Sequence, residues 1–164
     1  MDFEHENISL YAFHKFGDTV LRASYACCGS YAEAEDITQD VFLQLHSKPQ
    51  NFNNDEHLKA WLLRVAINKC KNYKRSFRVS KTGSLETEDI SSAYYEMKTE
   101  EDSIVSQIKS LPEKYASVIF LYYYEGYNTR EIADIQGKSE NTVCSLLRRG
   151  REKLKLELEK ERTL

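Results

Sequence analysis

The chain has 164 residues, 41% hydrophobic and 30% charged, with a formal net charge of −3. That length fits one medium domain or two small ones, and the apolar fraction supports packed cores but is too low for a membrane protein. No apolar run approaches the roughly 20 residues of a membrane-spanning helix, and the acidic, polar opening "MDFEHENISL" is unlike a secretory signal.

Six Gly and two Pro leave little punctuation, which predicts long helices. In the first, Leu10, Phe13, Val20, Leu21 and Tyr25 recur at helical spacing, with an interruption expected at Gly17-Asp18. The second, "AEAEDITQDVFLQLHSK", carries two rows. Ile37, Val41 and Leu45 recur every fourth residue and can bury together, while Glu33, Asp36, Asp40 and Gln44 recur on a different face. Ser30 followed by Glu33 predicts a capping box at its start. Pro49 and "QNFNNDEH" predict a loop, and Asn54 or Asp55 is placed to cap the third helix, "HLKAWLLRVAINKCKNYKRSF". Its inward set is Leu58, Trp61, Leu62 and Val65, with Phe52 also assigned to the core. A polar stripe runs along Arg64, Asn68, Lys71, Asn72 and Arg75.

Residues 80–99, "SKTGSLETEDISSAYYEMKT", have no sustained apolar period and read as an acidic linker. Beyond them, Pro112 suits a first helical turn, Tyr115, Val118, Ile119 and Tyr122 form an inward stripe, and Gly126 suits a helix end. "SVIFLYYY" has the composition of a strand, yet its setting between Pro112 and Gly126 predicts helix. The segment "YNTREIADIQGKSENTVCSLLRRGREKL" has the layout of a helix-turn-helix. Asn128 and Glu131 form a capping box, Ile132 and Ala133 face inward, Gly137 makes the turn, and Ser139 caps the second helix. On that helix Val143, Leu147, Gly150 and Leu154 share one side, and Asn141, Cys144, Ser145 and Arg148 the other. The expected architecture is therefore all-α: two small helical domains joined by a linker, the C-terminal one bearing a helix-turn-helix.

Charge is partitioned along the chain. Lys59 to Lys81 holds eight bases and no acid; Leu85 to Asp102 holds seven acids against Lys98 alone; Glu140 to Lys155 holds five bases against two acids. The two basic segments fit phosphate tracking, with amides and guanidinium groups placed to reach base edges. The amides of the loop, Gln50, Asn51, Asn53 and Asn54, are of the kind that bond unstacked bases. A DNA surface has no use for the acidic row on the second helix. No nucleophile–base pair and no metal-ligand spacing is visible: His5, His14, His46 and His57 are scattered, and Cys27, Cys28, Cys70 and Cys144 form no CxxC pair. The expectation is a non-enzyme without cofactor or metal, with reduced thiols, in the cytoplasm.

"AEDITQDVFLQL", "FNNDEHLKAWLLRVAINKCKNYKR" and "SLPEKYASVIFLYYYEGYNTREIADIQGKSENTVCSLLRRGREKLK" stand in the order and at the separation of the second and fourth conserved regions of extracytoplasmic-function sigma factors. The chain resembles that family over nearly its whole length. The resemblance implies a region 2 domain over residues 1–79, the linker over 80–99 and a region 4 domain over 100–164. It implies that Asp36, Gln39 and Asp40 dock on the coiled-coil clamp of the largest catalytic subunit of core RNA polymerase. It also implies that Asn51, Asn53, Asn54, Arg64, Asn68, Lys71, Asn72 and Arg75 open and read the promoter −10 element. Asn141, Thr142, Cys144, Ser145, Arg148 and Arg149 would read the −35 element. Three positions depart from the family pattern: Asn72 stands where an acid is common, Cys144 where a lysine is frequent, and Gly150 where an alanine is frequent. An anti-sigma protein is an implied partner besides polymerase and promoter DNA, and no membrane insertion is implied. Two competing readings are a stand-alone helix-turn-helix regulator, which would need neither the acidic row nor the basic third helix, and a thiol redox protein using Cys27 and Cys28.

Overall fold

A computed structural model of the chain describes residues 8–48, 50–79 and 100–162. Helices α1 (Ile8–Cys28), α2 (Tyr31–Ser47) and α3 (Asp55–Val79) pack together as an N-terminal unit. Helix α4 (Glu100–Ile108), α5 (Glu113–Ile119) with a π-helical turn (Phe120–Tyr124), α6 (Thr129–Gln136) and α7 (Glu140–Arg162) form the C-terminal unit. No strand occurs among the described residues. The linker assigned to residues 80–99 lies outside them.

Helix α1 turns Ile8, Ala12, Phe16, Val20 and Ala23 into the core, so small alanines let it lie close to its neighbours. That face differs from the expected stripe: Leu10 and Phe13 are 56% and 52% exposed. The helix also runs unbroken through Gly17. The missing side chain there leaves space for the Phe13 ring, 3.6 Å from where a Cβ would sit, and that ring makes an edge contact with Phe42 of α2 at 5.4 Å.

Helix α2 buries Ala34, Ile37, Val41 and Leu45, as its apolar row predicts. Its start does not follow the capping-box pattern. Ser30 is the N-cap residue, but its side chain makes no cap hydrogen bond. The Glu33 carboxylate instead accepts from Tyr73 of α3. Helix α3 begins with Asn54 as cap, its Oδ1 accepting from the His57 backbone N–H at 2.8 Å. Asp55 accepts from Tyr11 at 2.9 and 3.0 Å and pairs with Lys15, both on α1, and these partners hold its carboxyl below the usual range. Leu58 and Leu62 are buried, while Trp61 and Val65 are half-buried against the core.

In the C-terminal unit Pro112 sits at the N-cap, one residue before the first turn, and Tyr115, Val118 and Ile119 are buried. "SVIFLYYY" is helical, but its last turn widens: the Glu125 N–H reaches the Phe120 carbonyl at 3.1 Å, five residues back. Gly126, at φ 78°, then turns the chain, a conformation open to glycine at no steric cost. Helix α7 lies close on α5 at Gly150, where an added Cβ would come within 3.0 Å of Ile119 Cγ1.

Candidate nucleic-acid and protein-docking interfaces

With its apolar row buried, α2 leaves Asp36, Gln39 and Asp40 exposed on the side away from the core. Leu43, 62% exposed, follows at helical spacing. The sequence reading placed Glu33 in the same acidic row. It differs from its neighbours in being engaged by α3: Tyr73 donates to its Oε1 at 2.6 Å, and its Oε2 is buried with no hydrogen-bond partner. A groove between α2 and α3 is lined by Glu33, Asp36, Ile37, Asp40, Lys69, Asn72 and Tyr73. Asn72, which the resemblance assigns to −10 reading, thus faces the same groove as Asp36 and Asp40, which it assigns to docking.

Along α3, Arg64, Asn68, Lys71 and Asn72 are exposed, giving a continuous polar stripe. The Arg75 side chain lies outside the described ones. Lys59 is drawn out of the basic set, its Nζ 2.7 Å from Glu125 Oε2. In the loop before α3, Phe52 is 5% exposed and makes edge contacts with Trp61 at 5.8 Å and His57 at 5.2 Å. This anchor leaves Asn51 and Asn53 exposed on either side of it. Asn53 donates its backbone N–H to His57 Nδ1 at 3.1 Å, leaving its amide free of that bond. Asn54 is exposed too, but its carbonyl oxygen serves the cap.

The helix-turn-helix is assembled by local bonds. Asn128 Oδ1 accepts from the Glu131 N–H at 2.8 Å, and Glu131 Oε1 accepts from the Asn128 N–H at 3.0 Å. Gly137 adopts the left-handed conformation at φ 64°. Ser139 Oγ accepts from the Thr142 N–H at 3.2 Å and lies 2.7 Å from the Thr142 hydroxyl. Thr142 is therefore partly engaged in capping. Thr129 Oγ1 donates to Glu140 at 2.9 Å, tying the two helices across the turn. Val143 and Leu147 are buried, and Asn141, Cys144, Arg148 and Arg149 are exposed, with Ser145 half-buried at the edge of that face.

The four thiols are free. Cys27 and Cys70 are buried, and Cys28 is half-buried beside Cys70. Its hydrogen bond to Cys70, and then burial, push the Cys28 thiol far above its ordinary range; Cys70, bonded to Cys27 and buried, is raised as well. A redox pair needs a thiol that is both accessible and readily ionised; Cys27 is buried and Cys28 is held protonated, neither of which favours that role. Among the described residues no group of three or more metal-binding side chains converges, and no helix is long and apolar enough to cross a membrane.

The sequence reading missed the exposed Leu10, Phe13 and Leu43, and an apolar cleft in the C-terminal unit lined by Ile104, Ile108, Ile119, Tyr123, Leu154 and Leu158. The fourfold spacing of Leu154 and Leu158, beyond the helix-turn-helix, was the available signal for that cleft.

An all-helical chain with a basic amide-rich helix, a helix-turn-helix and a separate acidic face has the parts of a transcription-initiation protein. Residues 12–78 match the Sigma-70 region 2 family and residues 101–154 match Sigma-70, region 4. The chain is 29% identical over 160 residues to the ECF RNA polymerase sigma factor SigW of Bacillus subtilis, covering 87% of this chain and 84% of that one. It is 30% identical over 135 residues to the ECF RNA polymerase sigma-E factor of Escherichia coli, covering 73% and 71%. The fold is similar to that of the sigma factor RpoE in complex with the anti-sigma factor NepR from Bartonella quintana, with a TM-score of 0.68, 18% identity, and 93% and 98% of the two chains covered. CnrH in complex with the cytosolic domain of CnrY is similar at a TM-score of 0.63 and 22% identity, covering 92% and 87%. The chain belongs to the ECF RNA polymerase sigma factor family. It is an alternative sigma factor that binds core RNA polymerase and directs it to specific promoters; proteins of this family are not enzymes.

Proposed function

We propose a division of labour among three surfaces. Asp36, Gln39 and Asp40 dock on the coiled-coil clamp of the largest catalytic subunit. Asn51, Asn53, Asn54, Arg64, Asn68, Lys71, Asn72 and Arg75 open and read the −10 element. Asn141, Thr142, Cys144, Ser145, Arg148 and Arg149 read the −35 element. The corresponding units are residues 1–79 (region 2), 80–99 (linker) and 100–164 (region 4). The chain works in the cytoplasm and is held inactive by an anti-sigma protein, a partner of the kind that the RpoE and CnrH complexes contain.

The observation that carries this reading is the outward exposure of Asp36, Gln39 and Asp40 together, on a helix whose apolar face is buried. A carboxylate row exposed in this way steers and orients a basic partner more than it adds affinity. Leu43 beside it supplies an apolar contact inside a charged rim, the usual layout of a protein interface. Of the −35 set, Asn141 and Ser145 suit base edges, while Arg148 and Arg149 suit phosphates or guanine.

The test is a pull-down with core polymerase using Asp36→Lys combined with Asp40→Lys. Retention should fall by at least about 100-fold, because two attractive contacts become repulsive, while circular dichroism stays that of the parent. A double variant that forms holoenzyme normally removes the docking assignment.

A further inference from the structure

One residue touches three consecutive residues of the loop before α3. His57, in the first turn of that helix, donates its backbone N–H to Asn54 Oδ1 at 2.8 Å and accepts from the Asn53 N–H through Nδ1 at 3.1 Å. Its ring meets Phe52 edge-on, the centres 5.2 Å apart, and Phe52, itself buried, rests in turn on Trp61. The exposed Asn51 and Asn53 flank that anchor, so the main chain at Asn53 sets where their amides point. The exposed His57, Arg64 and Asn68 fall within about 40° of one another around α3, and the imidazole therefore begins the polar stripe of that helix.

We propose that His57 is a positioning residue for this loop, holding Phe52, Asn53 and Asn54 in place for base reading only while its Nδ1 is unprotonated. The hold on the loop concerns the chain alone; the link to base reading rests on the −10 assignment under Proposed function. The geometry is a capping box with one part exchanged. At α6 the third helical residue, Glu131, accepts from the N–H of the cap residue Asn128. At α3 the third helical residue is His57, and its acceptor reaches one residue further back, to the N–H before the cap.

That exchange makes the hold conditional. A carboxylate accepts at every pH above about 5, whereas an imidazole is the side chain whose charge changes between about pH 5 and 8. Nδ1 accepts only in the neutral ring with its proton on Nε2. Once protonated it becomes a donor facing another donor, at a helix N-terminus that already disfavours positive charge. Residues 50–54 of the loop are amides and one phenylalanine, so no titratable group there takes over. Of the acids in the same turn, Asp55 is held by Lys15 and Tyr11 of α1, and Glu56 is exposed. His46 is engaged elsewhere, with Ser9. Acidification therefore releases the main chain at Asn53 and blurs base preference at the −10 element. The caps of the helix-turn-helix, built from Asn128, Glu131 and Ser139, keep their bonds.

The test has two arms. In NMR spectra of the full chain, the Asn53 amide proton should move upfield as the His57 ring titrates, and should stay in place in His57→Gln. In the second arm, holoenzyme selects from a pool of promoter-length duplexes carrying a randomised single-stranded bubble, at about pH 7.5 and about pH 6, on either side of the ordinary imidazole value. The parent should enrich its preferred bases about threefold to tenfold less at the lower pH, the worth of one hydrogen bond. His57→Gln, whose amide oxygen accepts at either pH, should keep the preference at both. His57→Phe keeps a ring against Phe52 but has no acceptor, and should lose the preference at both. If His57→Phe fails to fold, as judged by circular dichroism, the comparison of parent with His57→Gln decides. An Asn53 amide indifferent to the His57 titration, or a His57→Gln that follows pH as the parent does, would overturn the role of His57. A parent that forms holoenzyme yet enriches no base at either pH would sink the −10 reading and leave the NMR result standing.

Discussion

Tyr73 on α3 donates a 2.6 Å hydrogen bond to Glu33 on α2, so that carboxylate serves the packing of the two helices rather than a cap at the start of α2. The bond joins the helix proposed to dock on polymerase to the helix proposed to read the −10 element. Because the other Glu33 oxygen is buried and already lacks a partner, losing Tyr73 would strand the whole carboxylate. Tyr73→Phe should therefore destabilise the fold by about 2 kcal/mol, the range for a hydrogen bond to a charged group. Urea denaturation of the parent and variant would measure it, and a change within about 0.5 kcal/mol would mean that water replaces the hydroxyl.

The same tyrosine sets a pH limit. Burial, and then the bond to Glu33, raise the Tyr73 hydroxyl above its ordinary range; burial also raises Tyr127, with Glu125 adding to it. Below about pH 10 both hydroxyls keep their protons in the folded and unfolded chain, and the shifts contribute nothing. Above that value the unfolded chain releases protons that the folded chain retains, so the unfolded state is favoured and stability falls as pH rises. Denaturation midpoints should drop between about pH 9.5 and 11, and Tyr127→Phe should flatten the drop. A flat profile for the parent would contradict the shielding of the Tyr73 and Tyr127 hydroxyls, the first part-buried and the second buried.

What was legible in the sequence was mostly local. Asn128 with Glu131, Gly137 and Ser139 act within one turn of the chain, and the structure forms each cap and the left-handed turn. The acidic row was legible because Ile37, Val41 and Leu45 left it no other place to go. Ser30 and Glu33 have the same local signature as Asn128 and Glu131, yet Tyr73, forty residues on, takes the carboxylate. Spacing alone could not say which side of α1 is inward either. The alanines Ala12 and Ala23 are fully buried, whereas the larger Leu10 and Phe13 face outward. Lys59 belonged by sequence to a basic run, and nothing local marks Glu125 as its partner.

Gly150 is where α7 and α5 pack most tightly against a glycine. An added Cβ would stand 3.0 and 3.2 Å from Ile119 side-chain atoms and 3.4 Å from Tyr115 Cβ, and Ile119 is only 1% exposed. Gly150→Leu should destabilise the chain by about 3 kcal/mol, since overpacking between two packed helices outweighs the gain in helix propensity. Thermal melting would read the loss. An unchanged melting temperature would show that α7 can move off α5 at little cost.

The thiols separate by environment. Cys144 is exposed on the outward face of α7, whereas Cys27 and Cys70 are buried and Cys28 is held protonated beside Cys70. A maleimide at neutral pH should label Cys144 within minutes and the other three only on unfolding, because the reagent needs both access and thiolate. Mass spectrometry of the labelled peptides tests this. Labelling should also weaken −35 binding, since the adduct would occupy a face proposed to lie in the major groove.

Arg148 and Arg149 are both exposed on α7, at successive positions about 100° apart around the helix. Neither forms an ion pair among the described residues, and both point outward where phosphates would lie. If each neutralises one phosphate, removing both should lower the dependence of log affinity on log salt by about two units. Holoenzyme carrying Arg148→Ala and Arg149→Ala should bind a promoter duplex about 10- to 100-fold more weakly at moderate salt. The loss should shrink at high salt, where counterion release contributes less. Binding to core polymerase should be unchanged, because the residues proposed to dock lie on α2, in the other unit. A loss that is the same at every salt concentration would point to base contacts, and a loss of polymerase binding would place these arginines in a protein interface.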